Sequence, residues 1–296
     1  MELRIRDMTR ADVDRAGAIL FEAFTSGASK RGYAPRMHDV AEGKTLAWTM
    51  LRHGPSVNLV AEVEGRAVGL CSLNPRGKLA GIGPMAIDPG FQGKGVAGKL
   101  LAAILARAPD LEATRCLQEA FNPASYQLLQ SQAYLPVADI LEFVRGPGVA
   151  PGADANADVS VLAGNEVEEL HRFDGPRSWF DRRPDLRFYA KWGKVFVLRS
   201  QSQIRGYLAC LPGSRSVQLG PLLAETESEG ERLFRHALSQ FGNRACWTCV
   251  MARDQALVSG LRSLGFKLYC INLLMVRGPW RPGRSIEAFG RFPEGT

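Results

Sequence analysis

Apolar and polar residues alternate over Leu3–Asp7, recur at helical spacing over Asp12–Ala23, and lose both periods in the glycine-containing stretch Thr25–Pro35. The pattern predicts a strand, a helix and a loop, in that order. A second helix is expected over Val40–Leu51, then strands at Asn58–Val63 and Ala67–Asn74 joined by the Glu64-Gly65-Arg66 turn. A strand over Ala80–Ile87, a glycine loop, a helix over Gly98–Arg107, a strand over Arg115–Phe121, a helix over Pro123–Gln132 and a strand over Ala138–Val144 complete the first half. The following stretch, rich in Gly, Pro and Ala and without periodicity, has linker composition. Taken as residues 146–158, it separates a domain of residues 1–145 from one of residues 159–296.

The second half repeats the first. Gly69 and Gly206 lie 137 residues apart, ahead of the apolar runs Leu70-Cys71-Ser72-Leu73 and Tyr207-Leu208-Ala209-Cys210-Leu211. Gly83-Pro84 and Gly220-Pro221 keep the offset of 137, and Leu59-Val60-Ala61 matches Phe196-Val197-Leu198. Farther on, Leu100 matches Leu233 at 133, and Ala133-Tyr134 matches Gly265-Phe266 at 132. Self-similarity of this kind predicts two copies of one domain. The shrinking offset places a deletion between Pro84 and Leu100, in the glycine loop, where the second copy carries Glu225, Glu227, Glu229 and Glu231. Carboxylates repel an anionic ligand, so the second copy is not expected to bind what the first binds. Near the start, Ile5 and Val161 are offset by 156, which gives the first copy about 19 extra residues around Phe24–Gly43.

A chain of 296 residues suffices for two domains with a core each. Its 46% apolar and 23% charged residues exclude wholesale disorder, collagen and coiled coil. No stretch approaches the ~18 consecutive apolar residues a membrane helix needs. The charged alternation of Met1–Asp7 leaves no apolar run for a signal peptide, so a cytoplasmic location is the expectation. Six irregularly spaced cysteines are expected as thiols. The net charge of +7 is spread out, with 17 Lys and Arg against 15 Asp and Glu in the first 150 residues and 20 against 15 after them. Without a basic block or an aromatic-basic stripe, nucleic acid and membrane are not the expected partners, and an anionic small molecule explains the sign as well.

The chemistry concentrates in Met85-Ala86-Ile87-Asp88-Pro89-Gly90-Phe91-Gln92-Gly93-Lys94-Gly95-Val96-Ala97-Gly98-Lys99, a strand, a proline stop, a glycine turn and a helix. Glycines at 93, 95 and 98 let main-chain N–H groups approach a ligand, and the positive helix end adds to them, which makes a pyrophosphate cradle. Lys94 and Lys99 add point charges. The run Gly93-Lys94-Gly95-Val96-Ala97-Gly98 also fits the dinucleotide fingerprint G-x-G-x-x-G, with Glu119 near the place of a ribose-binding acid, so a nicotinamide-dependent oxidoreductase is an alternative. Against it, Asp88-Pro89-Gly90-Phe91-Gln92 separates the strand from the first glycine, and the preceding strands are joined by hairpin turns. A glycine turn that binds nothing is the plainer reading.

On these residues the chain resembles the GNAT superfamily of acyl-CoA-dependent N-acyltransferases. Its signature of an aliphatic strand, a proline and Gln/Arg-x-x-Gly-x-Gly/Ala is met by Ile87, Pro89, Gln92, Gly95 and Ala97; Asn122, Ser125, Leu128 and Ala133-Tyr134 loosely follow a second family feature. The resemblance covers about residues 1–145, and residues 159–280 resemble a degenerate second copy. It implies an α/β (α+β) protein of tandem GNAT-like folds, each a mixed sheet flanked by helices, with acetyl-CoA as co-substrate, no metal, and a small-molecule primary amine as acceptor. It further implies that Met85, Ala86 and Ile87 pair with the pantetheine arm, that Gln92, Gly93, Lys94, Gly95, Val96 and Ala97 with Gly98 hold the pyrophosphate, and that Asn122 and Ser125 lie beside the arm. A free N–H near Ala86–Ile87 is the expected oxyanion donor.

Attack on a thioester needs a neutral amine, which at pH 7 is roughly one alkylamine in a thousand. Glu119, on the strand leading to Asn122, is the candidate base; the alternative is a strand carboxylate facing solvent or an arginine. The family position for a tyrosine acid holds Leu129, so Tyr126, one turn earlier, is the substitute candidate, or simply a packed ring. That leucine also admits a non-catalytic acyl-CoA sensor. The family's acceptor loop falls on Thr25–Pro35, read as a lid or a plain surface loop. Trp48 is expected in the core, and the terminal Ala288–Pro293 stretch is expected to dock on a domain surface or cap a core. Cys246-Trp247-Thr248-Cys249 sits in an expected strand and lacks a second pair, and His38, His53, His171 and His236 have no ligand spacing, so neither metal nor Ser/His/Asp chemistry is expected.

Overall fold

The N-terminal alternation forms strand β1 (Arg4–Asp7) in the computed structural model, which describes residues 2–149, 158–281, 286–290 and 292. Residues 150–157 of the expected linker, and Arg291 and Pro293 of the terminal stretch, lie outside the described residues. By packing, the chain divides into two units, Met1–Leu135 with Val276–Gly278, and Pro136–Met275 with Pro279–Gly295.

In the first unit β1 is followed by α1 (Val13–Ser29), α2 (Val40–Arg52), β2 (Val57–Val63), β3 (Arg66–Arg76) and β4 (Leu79–Ile87). Then come α3 (Val96–Leu105), β5 (Ala113–Glu119) and α4 (Pro123–Ser131). Asp12 fixes the start of α1 by accepting from the Thr9 N–H at 2.8 Å and its hydroxyl at 2.9 Å, while Arg6 clamps both carboxylate oxygens at 2.8 Å. The β2–β3 turn works because Glu64 and Gly65 both take positive φ, the geometry that suits a two-residue hairpin. Strand order is β1-β2-β3-β4-β5, antiparallel throughout except for the parallel pair β4–β5. Seven consecutive residues of β3, from Val68 to Asn74, are buried, so both sheet faces are covered, with α1 and α3 packing on these strands. Helices α1 and α2 meet at glycines: a Cβ on Gly43 would stand 2.2 Å from the Gly17 carbonyl.

Two helix boundaries differ from the sequence reading. Helix α1 continues through Thr25–Ser29, part of the expected loop, because Leu20 and Ala28 keep the buried stripe of its turns running past Ser26 and Gly27. Helix α3 starts at Val96, two residues before Gly98, because Gly95 adopts a left-handed conformation as its N-cap and Val96 turns into the core. Trp48 is half-buried on α2.

The second unit contains β6 (Leu135–Arg145, from Pro136 on), β7 (Val159–Val161), α5 (Val167–Asp174), α6 (Arg183–Trp192), β8 (Lys194–Ser200), β9 (Gln203–Pro212) and β10 (Ser216–Ala224). It continues with α7 (Glu227–Phe241), β11 (Ala245–Met251), α8 (Gln255–Ser263), β12 (Lys267–Arg277, to Met275) and β13 (Ile286–Phe289). Antiparallel pairing from β7 through β8 and β9 to β10, followed by a parallel β10–β11 pair, repeats the topology of β1 to β5. Gly83-Pro84 and Gly220-Pro221 both fall at register breaks in β4 and β10. The connection from strand to helix is reduced to Glu225 and Thr226, where the first unit uses residues 88–95. Its one acid, Glu225, pairs with Arg177 and Arg205, and on α7 Glu229 pairs with Arg205 and Glu231 with Arg235. Ala288 and Phe289 of the terminal stretch belong to a strand, β13, inserted between β10 and β11, where its main chain completes both ladders.

Candidate active site

Strands β4 and β5 are in register only at Leu79–Ala113, Ala80–Thr114 and Gly81–Arg115, and then diverge. The wedge exposes the β5-facing edge of β4. Asp88 N–H donates to Val68 O, and the register Ile87↔Gly69, Ala86↔Leu70 makes Ala86 the next residue bonded to β3. Met85 and Ile87 therefore aim their N–H and C=O groups into the wedge, and the Gln92 amide closes on the Ile87 carbonyl at 3.1 Å. By this register the N–H groups of Met85 and Ile87 face the wedge, whereas the Ala86 N–H points to β3.

The glycine loop stands at the mouth of this wedge. Asp88 receives the Gly90 N–H at 2.8 Å and is held by Arg15, whose Nε reaches the Ala67 carbonyl at 3.0 Å, with Arg66 3.7 Å away. Gly93 and Gly95 have φ of 75° and 78°, and a Cβ on either would meet nothing within 4 Å. Their conformation, not crowding, requires glycine, and the space over them is open. The first intrahelical bond of α3 comes from the Lys99 N–H to Gly95 O at 3.2 Å, so the N–H groups of Val96, Ala97 and Gly98 precede it without helical partners. Lys94 lies over the Phe91 ring at 4.9 Å, and Lys94 and Lys99 are exposed.

The far end of β5 holds the other predicted residues. Counting on from Gly81↔Arg115, Met85 and Glu119 each lie four residues past the last pair. Glu119 is paired with Arg36 at 3.2 Å, both side chains largely buried. Asn122 caps α4, its Oδ1 taking the Ser125 N–H at 3.4 Å and Arg31 at 3.3 Å. The Ser125 hydroxyl donates to Gln118 at 2.6 Å, and the Gln118 amide bridges the Glu119 and Asn122 carbonyls at 2.9 Å each. Tyr33 stacks on Phe121 with ring centroids 4.2 Å apart. The α1–α2 connection is thus tied to the end of β5 by a hydrogen bond, a stack and an ion pair. Tyr126 is half-buried on α4, whereas Leu129 is in the core.

Sequence reasoning gave no role to Arg15, Arg36 or Gln118, nor individually to Arg31 in the Thr25–Pro35 loop or Asp88 in the glycine motif; apart from Gly90 on Asp88, the partners of the arginines and Asp88 are distant in sequence. The six cysteines are free and buried among the described residues. Burial pushes the Cys116 thiol up to about 12 and the Cys246 thiol up to about 11, and raises Cys71 and the Tyr134 hydroxyl as well, so these groups stay protonated as core. Among the described residues no cluster of His, Cys, Asp and Glu could hold a metal, and no helix is long and apolar enough to cross a membrane. The strand before the glycine loop pairs antiparallel with β3, which is not the parallel unit of a nicotinamide fold.

Comparison with protein families matches residues 20–134 to the acetyltransferase (GNAT) family and residues 185–290 to a second acetyltransferase (GNAT) domain. The chain belongs to the GNAT family. Both halves carry its domain, so the chain is a tandem member. Among solved structures, a Pyrococcus horikoshii protein classed as an acetyltransferase superposes with a TM-score of 0.80 at 15% identity, over 97% of this chain and 93% of the other. A GCN5-related N-acetyltransferase of Sphaerobacter thermophilus gives 0.63 at 17% identity, over 95% and 96%. A tandem GNAT protein of the clavulanic acid biosynthesis pathway gives 0.64 at 15% identity, over 95% and 100%. These likenesses concern the fold. No curated protein sequence matches significantly.

Proposed function

We propose that the first GNAT unit transfers an acetyl group from acetyl-CoA to the primary amine of a small-molecule acceptor, by direct attack within a ternary complex. The observation that carries this reading is the divergence of β4 and β5 beyond Gly81–Arg115, with an open glycine cradle at its mouth. The residues present fit the co-substrate. N–H groups of Gly93, Gly95, Val96, Ala97 and Gly98 would hold its diphosphate, with Gln92, Lys94 and Lys99 alongside. Met85, Ala86 and Ile87 would offer the strand edge on which the pantetheine arm lies, beside Asn122 and Ser125. Acetyl-CoA supplies the thioester carbonyl as electrophile.

The chain's own groups do the rest. The N–H of Met85 or Ile87 faces the wedge as a fixed donor for charge developing on the carbonyl oxygen. Glu119, anchored by Arg36, accepts the proton of the acceptor ammonium directly or through a water. Tyr126 stands one turn before buried Leu129 as the hydroxyl available to the leaving thiolate. With a thiol pKa of about 8.5, departure as the bare thiolate at pH 7 costs only ~2 kcal/mol, so this proton assists without being decisive. The α1–α2 connection, fastened over β5, would shield the acceptor.

Calorimetry with acetyl-CoA and a thiol-release assay over a panel of primary amines test the reading. One-to-one binding, lost in Gly95→Val, and release with at least one amine are the expected results. Unchanged affinity in Gly95→Val rejects the cradle; tight binding without release from any amine turns the first unit into a sensor.

A further inference from the structure

The wedge that is open in the first unit is filled in the second. Strands β10 and β11 pair in parallel over Ser216–Gln218 and then diverge, and β13 enters between them. Leu222, Leu223 and Ala224 pair with Ala288, Glu287 and Ile286, while Cys249 and Val250 pair with Phe289 and Ala288. At the repeat offset of 137, Leu222-Leu223-Ala224 are the counterparts of Met85-Ala86-Ile87. At the offset of 132, Asp254 is the counterpart of Asn122, and each stands at the N-cap of the helix after the diverging strand. The Asp254 carboxylate takes a hydrogen bond from the Glu287 main chain. The seat is close-fitting: a Cβ on Gly220 would come within 2.5 Å of the Phe289 carbonyl carbon.

The inserted strand is also read by side chain. Arg182 donates to Glu287 at 3.1 Å and to Asp174 at 3.1 Å, and the Tyr207 hydroxyl donates to Asp174 at 2.7 Å. Arg182 and Asp174 are fully buried and Glu287 is 4% exposed. A carboxylate enters such a place only if a cation is waiting, so Arg182 selects an acidic residue at this position of an incoming strand.

We propose that the second unit is a strand-binding socket whose ligand is an extended peptide with a carboxylate at the position of Glu287, the chain's own strand Ile286–Phe289 being the resident occupant. A peptide strand has taken the position that the pantetheine arm holds in the first unit. The parallel with the arm rests on the function proposed above; the strand recognition itself does not.

The test uses the full chain with a protease recognition sequence inserted between Pro282 and Gly283. After cutting, the segment is retained by non-covalent contacts alone. A fluorescein-labelled synthetic peptide of residues 283–296 should then be taken up to one per chain, read by anisotropy, and the Glu287→Gln peptide should bind at least about tenfold more weakly. The uncut chain should take up none, and millimolar coenzyme A should displace none. No uptake by the cut chain, uptake indifferent to Glu287→Gln, or displacement by coenzyme A overturns the proposal. Hydrogen exchange on the uncut chain gives a second reading: amides of Ile286–Phe289 should exchange ahead of those in the β9–β10 ladder, and equal protection overturns it too. Failure of the first unit to bind acetyl-CoA leaves each of these outcomes unchanged.

Discussion

Gly98 occupies the third position of α3, where its N–H precedes the first intrahelical bond, and a methyl group built there meets nothing nearer than Leu128 Cδ1 at 3.8 Å. Its φ is not in the left-handed region, so alanine is compatible with the backbone. Gly98→Ala should therefore stabilise the ligand-free protein by about 0.5–1 kcal/mol through helix propensity, raising Tm by about 1–4 °C in a unit of this size. The same methyl would be carried by one of the residues whose N–H is proposed to bind the diphosphate, and would compete with the ligand for space there. Losing one charge-assisted hydrogen bond there costs about 1.5–3 kcal/mol, a drop in acetyl-CoA affinity of roughly tenfold to a hundredfold. Gly95→Ala should lower affinity too but also destabilise, by about 1–2 kcal/mol, because its φ of 78° strains any side chain. Thermal melts and calorimetry on the two variants separate fold from ligand. A Gly98→Ala protein that melts higher and binds acetyl-CoA within twofold of the parent refutes the cradle.

Glu119→Gln should lower kcat more than it raises the KM for acetyl-CoA, whereas Tyr126→Phe should slow turnover by less than about a hundredfold, both read in thiol-release assays. Asp12 is held down to about 2 by the Arg6 clamp, with help from Thr9, so its contribution is complete above the ordinary carboxylate range and is lost as pH falls from about 4 to about 2. Asp12→Asn should accordingly remove about 2 kcal/mol at pH 7 and almost nothing at pH 2, read from denaturant midpoints. Gly43→Ala forces its methyl against the Gly17 carbonyl and should cost about 1–3 kcal/mol by chemical denaturation.

Local pattern carried much of the architecture. Strands β2 and β3 fall within two residues of expectation because their alternation is bounded by a turn whose Gly65 needs positive φ. The lost loop of the second copy was visible as a change of offset, and Glu225 and Thr226 occupy its place. What the sequence did not disclose are long-range pairings. An arginine partner for Glu119 was one reading of the sequence, but nothing in the sequence identified it as Arg36, and nothing in Ile286–Phe289 announces two ladders waiting for it. The end of α1 escaped because Ser26 and Gly27 weaken a helix that packing of Ala28 sustains.

The bond from Gln92 to the Ile87 carbonyl has a consequence for polarity. Over Met85–Ile87 the wedge edge carries two amide hydrogens and two carbonyl oxygens, and Gln92 already occupies one of the oxygens. A ligand laid along that edge would meet two donors and one carbonyl oxygen already shared with Gln92, so the edge favours groups that accept over groups that donate.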